Sequence, residues 1–165
     1  MSGALAIRPA SVDDAAAICA VYNPYVTATT ITFEEASVPV DEMARRIHDV
    51  TRAHPWLVAT SDGAVAGYAY AGPWRTRSAY RHAVESTVYV AQDQAGRRIG
   101  MQLYRALLDA LRAGGFHCVM GGIALPNAAS VALHESLGFA KVAHFREVGC
   151  KLGRRIDVGY WQLML

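Results

Sequence analysis

Residues 87–104 constrain the fold more than any other part of the chain. The β-branched and aromatic run Thr87, Val88, Tyr89, Val90 ends at Ala91. A short loop follows with Gly96, Arg97, Arg98 and Gly100. Then Ile99, Leu103, Leu107 and Leu111 recur at helical spacing. The order is strand, tight loop, helix. The first backbone N–H groups of such a helix have no partner within it. An anion placed there gains hydrogen bonds and the favourable end of the helix dipole. The segment therefore reads as a phosphate or pyrophosphate cradle, or as a plain turn with solvated arginines.

Two common phosphate loops are excluded. No Lys-Ser or Lys-Thr follows, as a nucleotide P-loop requires. The three spaced glycines and downstream acidic residue of a dinucleotide site are also missing.

Composition narrows the class. A chain of 165 residues suits one domain, residues 1–165. With 53% hydrophobic and 18% charged residues it is a packed protein, not a disordered one. A net charge of +2 gives no footprint for nucleic acid. The arginines cluster instead, at Arg75, Arg77 and Arg81, at Arg97 and Arg98, and at Arg154 and Arg155. Such clusters suit small anionic ligands. No apolar run is long enough for a membrane span, and the first eight residues lack a signal peptide's basic leader and apolar core. Cys19, Cys118 and Cys150 read as small buried hydrophobes in a reduced, cytoplasmic setting. Six scattered histidines show no ligand spacing, so no metal is expected.

Along the chain, residues 5–8 form a short first strand. Ser11 and Asp14 look like a capping box, opening a helix with Ile18, Val21 and Tyr22 that Pro24 should disturb near its end. Residues 27–33 are rich in β-branched side chains and read as extended. Asp41 begins a second helix with Met43, Ile47 and Val50 inward. Strands at 56–60 and 64–71 flank a Ser-Asp-Gly turn. A strand at 85–91, a helix at 100–113 stopped by Gly114 and Gly115, a strand at 117–123 and a helix at 128–137 follow. Strands at 139–145 and 158–163 close the chain. This is an α/β domain on a central mixed sheet flanked by helices, with the anion loop at a strand's carboxyl end, where open α/β sheets bind ligands.

Several segments together resemble the GNAT N-acetyltransferases, and within them the phosphinothricin and methionine-sulfoximine acetyltransferases. They are Val21-Tyr-Asn-Pro, Pro55-Trp-Leu-Val-Ala, Gly67-Tyr-Ala-Tyr-Ala-Gly-Pro-Trp-Arg, Ala79-Tyr-Arg-His-Ala-Val-Glu-Ser-Thr-Val-Tyr-Val, Leu125-Pro-Asn-Ala-Ala-Ser-Val-Ala-Leu-His-Glu and Asp157-Val-Gly-Tyr-Trp-Gln. The resemblance covers nearly the whole length. It implies a single GNAT domain that moves acetyl from acetyl-CoA to the α-amine of a small amino-acid-like substrate, with no metal, and a cytoplasmic homodimer. The anion loop departs from the family pattern. That pattern has Gln or Arg, two residues, Gly, one residue, then Gly or Ala, and these positions hold Ala95, Arg98 and Gly100 here.

Acetyl transfer from a thioester needs the reactants held together, a base for the ammonium and stabilisation of an oxyanion. Glu85 sits at a strand start among β-branched neighbours, so it is either a partly desolvated carboxylate or a charged strand end facing water. The resemblance implies that it is the base. His134 can take or relay a proton, or be a helix histidine bonded to a carbonyl. A Glu–His pair working through water is a further possibility. Arg75, Thr76, Arg77 and Tyr80 follow Trp74 and resemble the substrate's anion clamp, since guanidinium forks suit carboxylate, phosphinate or sulfonyl oxygens. Phe33 reads as a pocket aromatic or as core. Ser86 and Thr87 are grouped with Glu85 on the substrate side. For the coenzyme, Val88, Tyr89 and Val90 offer backbone groups to the pantetheine as a pseudo-strand. Gly96, Arg97, Arg98, Ile99, Gly100 and Met101 form the cradle. Asn127 binds the pantetheine or caps its helix. The competing readings are an acetyltransferase for another amine and a coenzyme A-binding sensor that has lost catalysis.

Overall fold

A computed structural model describes residues 5–165, and the opening residues 1–4 read for a leader lie outside them. Seven strands form one sheet: β1 (Ala6–Pro9), β2 (Trp56–Ser61), β3 (Ala64–Pro73), β4 (Ala83–Val90), β5 (Cys118–Leu125), β6 (Ala140–Lys151) and β7 (Arg154–Met164). Their spatial order is β1-β2-β3-β4-β5-β7-β6. Every neighbouring pair is antiparallel except β4 and β5, which run parallel. A parallel pair needs a crossover, and the helix α3 (Ile99–Ala113) supplies it.

Two cores sandwich the sheet. On one face α3 buries Leu103, Leu107 and Leu111 against Val84, Val119, Ile123 and Trp161. Each such leucine contributes about 1.5–3 kcal/mol relative to exposure. On the other face α1 (Ala15–Ala28) and α2 (Val40–Thr51) bury Ile18, Val26, Met43 and Ile47 against Trp56, Val58 and Tyr68. The short α4 (Ala128–Ser136) follows β5. Alternation along β4 therefore decides which face each side chain meets.

Three elements differ from the sequence reading. The helix α1 runs through Pro24 to Ala28. Proline removes one bond there, but Tyr22 and Val26 are buried on either side of it, and that burial holds the helix. Residues 29–39 are then a loop, not a strand. Side chains pin it: the Tyr22 hydroxyl meets Thr32 at 2.7 Å, and Arg46 binds Glu34 at 2.7 Å. The Asn23 amide donates to the Val38 carbonyl at 3.0 Å and accepts its N–H at 2.9 Å.

The last two strands are much longer than their apolar runs. They meet in a two-residue turn, Leu152 and Gly153, with φ of 51° and 70°, the geometry of a tight hairpin. Most of β6 is exposed, so no apolar alternation announces its second half. Its register also shifts between Phe145 and Gly149. Cys19 and Cys118 are buried as expected, but Cys150 is exposed on this strand.

Candidate active site

The site is built by two strands that part. β4 and β5 pair only from Ala83 to Glu85 against Cys118 to Met120. Beyond that, residues 86–90 and 121–125 have no register with each other. β5 follows β7 instead, along its whole length. The opening leaves a row of backbone groups on β4 without a strand partner. The Ala91 N–H bonds the Ala66 carbonyl at 2.9 Å, so by alternation Tyr89 turns its backbone to β3 while Val88 and Val90 face the gap. The Val90 carbonyl accepts the Tyr25 hydroxyl at 2.6 Å. Val88 is thus the residue of the expected trio best placed to extend the sheet to a ligand. Tyr89 instead sends its ring among Tyr22, Tyr25 and Tyr68.

A groove of about 240 Å3 runs from the gap to the start of α3, lined by Val88, Val90, Gly100, Asn127, Ser130 and others. At α3 the first helical bond is from the Gln102 N–H to the Arg98 carbonyl, 3.2 Å. The N–H groups of Ile99, Gly100 and Met101 therefore have no acceptor within the helix. The Ile99 side chain is core, 3% exposed, so Ile99 can offer only its backbone. Gly96 has φ +81°, and the Arg97 side chain bonds that of Gln94. Arg98 caps α3 at φ 58°, ψ 19°, the left-handed region that glycine adopts freely and an L-residue adopts at a cost of about 1 kcal/mol. The departure from the family pattern thus keeps the conformation and replaces the residue suited to it. A Cβ on Gly100 would meet Val90 and Leu133 at ordinary contact distances, 3.5 and 3.6 Å. The fold alone leaves room there, as a cradle for a bulky anion requires.

Asn127 caps α4, accepting the Ser130 N–H at 3.1 Å, and it also lines the groove.

The two candidate bases lie on opposite faces of the opening. Two adjacent glycines of β5 make the room. A Cβ on Gly121 would stand 2.5 Å from His134 Nε2, and a Cβ on Gly122 would stand 3.1 Å from Glu85 Oε1. His134 is 4% exposed. Its Nδ1 donates to the Ser130 carbonyl at 2.7 Å, which leaves Nε2 as an acceptor for the Tyr104 hydroxyl at 2.9 Å. Tyr104 also meets the Ser86 hydroxyl. Burial pushes the imidazole below its usual range, which favours the neutral form. Ser86, expected beside the substrate, belongs to this buried network, because β4 alternates and Ser86 faces α3. Tyr104 was not singled out in the sequence. Its signal was a hydroxyl in the middle of the inward leucine stripe of α3, where burial demands a partner.

Glu85 and Thr87 face the other way. Burial pushes the Glu85 carboxyl up, opposed by Arg75 and by a hydrogen bond from Tyr160. Thr76, Arg77 and Tyr80 are exposed on the loop before β4. The Arg75 guanidinium stacks 4.1 Å over the Trp74 ring. Neither Arg75 nor Arg77 forms an ion pair with a carboxylate at bonding distance among the described residues. Phe33 is 43% exposed, so it is not core, and the tip of its ring lies against Gly149 of β6. Lys151 donates to the Thr32 carbonyl at 2.7 Å and so ties this loop to the same strand. Among the described residues no group of three or more His, Cys, Asp or Glu is placed to hold a metal, and no helix is long and apolar enough to cross a membrane.

A sheet opened between parallel strands, with unpaired amides at the start of the helix that joins them, can take an extended ligand that ends in an anion. Residues 7–159 match the acetyltransferase (GNAT) domain model. The chain is 43% identical to the phosphinothricin N-acetyltransferase of Streptomyces viridochromogenes, over 94% of its length and 85% of the relative's. It is 42% identical to the L-methionine sulfoximine/L-methionine sulfone acetyltransferase of Pseudomonas aeruginosa, covering 96% and 94%. An acetyltransferase from Salmonella typhimurium, solved with acetyl-CoA, superposes with a TM-score of 0.96 at 36% identity, covering 99% of this chain and 95% of the other. The chain belongs to the GNAT family and is an acetyl-CoA-dependent N-acetyltransferase.

Proposed function

We propose that this enzyme acetylates the α-amine of a small amino-acid-like substrate with a tetrahedral anionic or sulfoximine end, of the phosphinothricin, methionine sulfoximine or methionine sulfone type. The observation that carries this reading is the pairing of opposite charges around one opening. A half-buried carboxylate, Glu85, awaits the ammonium. Two guanidiniums without a carboxylate at bonding distance, Arg75 and Arg77, stand on the adjoining loop for the acidic groups, with Thr76 and Tyr80 beside them and Thr87 and Phe33 on the same side. Relatives acting on phosphinothricin and on methionine sulfoximine support the choice of acceptor.

Glu85 is the base. Its environment favours the proton more than water does, so it accepts one readily from an ammonium held against it. His134 has both ring nitrogens engaged, so its part is to hold Tyr104 on the coenzyme side. Val88 serves the pantetheine, with Val90 and Tyr89 shaping that strand and Asn127 at the groove's far wall. The amides of Ile99, Gly100 and Met101, set by the loop through Gly96, Arg97 and Arg98, take the pyrophosphate. Acetyl-CoA, when bound, supplies an activated acyl group. Everything else the residues do is to hold, orient and deprotonate.

The assembly we infer is a two-fold homodimer, supported by Val142, Phe145 and Val148, apolar and exposed on the edge strand β6. The setting we infer is cytoplasmic, consistent with the exposed unpaired thiol of Cys150. Sedimentation velocity tests the first; a monomer at micromolar concentration would refute it. Thiol release from acetyl-CoA, measured across a panel of amino acids, tests the function. The three named acceptors should exceed ordinary amino acids by at least about tenfold in kcat/KM, the mark of built-in discrimination. Equal rates across the panel would point to another amine.

A further inference from the structure

β7 contributes a residue to the site that nothing in the sequence reading singled out. Gly122 of β5 is the register partner of Tyr160 of β7, while Glu85 stands on β4, on the other side of β5. A side chain on β5 would separate them. Gly122 has none, and the place its Cβ would take lies 3.1 Å from Glu85 Oε1 and 3.1 and 3.2 Å from Cε1 and Cζ of Tyr160. Carboxylate and phenol thus border the same space over bare backbone. The phenol is not free to wander. Its ring is held edge-on by Trp74 at 5.3 Å and by Phe145 at 5.9 Å. Trp74 in turn carries the Arg75 guanidinium on its face. One continuous stack thus runs from a guanidinium on the acceptor loop, through two rings, to the carboxylate.

We propose that Tyr160 is a positioning residue for the base: its clamped hydroxyl holds one oxygen of the Glu85 carboxylate over Gly122 and leaves the other for the acceptor ammonium. This rests on the reading of Glu85 as the base. A phenol can donate only one hydrogen bond. Donating it to a carboxylate stabilises the ionised form and selects one rotamer. The other groups that bear on Glu85 are Arg75 from the loop, which favours the ionised form, and Tyr70 from β3 and Tyr104 from α3, both held neutral by burial. Arg75 acts on Glu85 only through its charge, and Tyr70 and Tyr104 sense that charge without a hydrogen bond to it, so orienting the carboxylate falls to Tyr160. The bridge also fixes the span between the base and Arg75. It is a ruler between the ammonium and the acidic end of one acceptor.

The test is Tyr160→Phe, which keeps the ring and its packing and removes the donor. Without it, burial of the carboxylate is less opposed, so Glu85 should hold its proton to higher pH. The acid limb of kcat/KM for the acceptor should move up by about one pH unit, the scale of one hydrogen bond to a charged group. The plateau should fall about threefold to tenfold, with the KM for acetyl-CoA unchanged. Gly122→Ala, which pushes a methyl group between the partners, should move the same limb in the same direction. An unmoved limb in Tyr160→Phe overturns the proposal. Glu85→Gln separates this from the reading beneath it. If that variant loses turnover while Tyr160→Phe leaves the limb in place, only the role of Tyr160 fails. If Glu85→Gln keeps both turnover and the acid limb, both fail.

Discussion

The two sides of the β4–β5 opening are built on opposite rules. On the side of α3 the polar groups are buried and satisfied by one another: Ser86, Tyr104, His134 and the Ser130 carbonyl. None of these four groups carries a charge. On the other side Glu85 is partly buried and ionisable, and Arg75, Arg77 and Tyr80 are exposed without protein counter-charges at bonding distance. The side chains of the first side are satisfied without a ligand, and only backbone groups of β4 and of the start of α3 are left open there. The second has groups whose partners are missing from the chain. A thioester arm is uncharged and long, and needs a shaped, neutral wall. An amino acid is small and doubly charged, and needs charges held ready. The difference identifies which side takes which reactant.

The comparison can be broken most severely at Glu85. Glu85→Gln keeps shape and removes basicity, and should lower turnover by about one hundredfold or more. Acetyl-CoA binding by calorimetry should hardly change, and activity within a fewfold of the parent would take Glu85 out of the role. Next in size is the clamp. Arg77→Ala should raise the KM for an anionic acceptor by the equivalent of about 1.5–3 kcal/mol, the usual worth of a charged hydrogen bond, and leave the KM for acetyl-CoA alone. Equal effects on both would move Arg77 to the coenzyme or the fold. On the neutral side the expected effects are smaller and fall on the coenzyme. Gly100→Val should weaken acetyl-CoA binding at least tenfold, about 1.4 kcal/mol, because the methyls would occupy the cradle. Unchanged calorimetry would displace the pyrophosphate site from α3. The smallest change is Arg98→Gly. It relieves a left-handed backbone and removes a charge, so affinity should stay within a fewfold while the melting temperature rises by about 2–4 °C. A lower melting temperature would mean that the arginine side chain contributes more than its backbone costs.

Much of this was legible because it was local. The strand, loop and crossover from Thr87 to Leu111 showed in apolar spacing alone, and Glu85 and His134 stood in segments that carried the family resemblance. What escaped was set by distant contacts. The residues 27–33 look extended by composition, yet helix α1 persists to Ala28 through the burial of Val26, and the rest is a loop tied down by Arg46 and Lys151. Ser86 points away from Glu85 and Thr87 for a subtler reason. Neighbours on a strand face opposite ways, so grouping it with Glu85 and Thr87 ignored the pleat. Tyr160 lies far along the chain from Glu85, and only the missing side chain at Gly122 lets them meet.

Gly121 and Gly122 differ only in which face they vacate, so the site depends on β5 being seated to the residue. Pairing with β4 covers three residues and pairing with β7 covers eight. The strand that keeps β5 in step is therefore the last one in the chain. A slip of one position would turn each hollow toward the wrong partner, leaving His134 facing a side chain and Glu85 another. Until β7 has docked, the two halves of this enzyme have no agreed address, and a chain shortened before Arg154 would lose the alignment of both even with every other strand present.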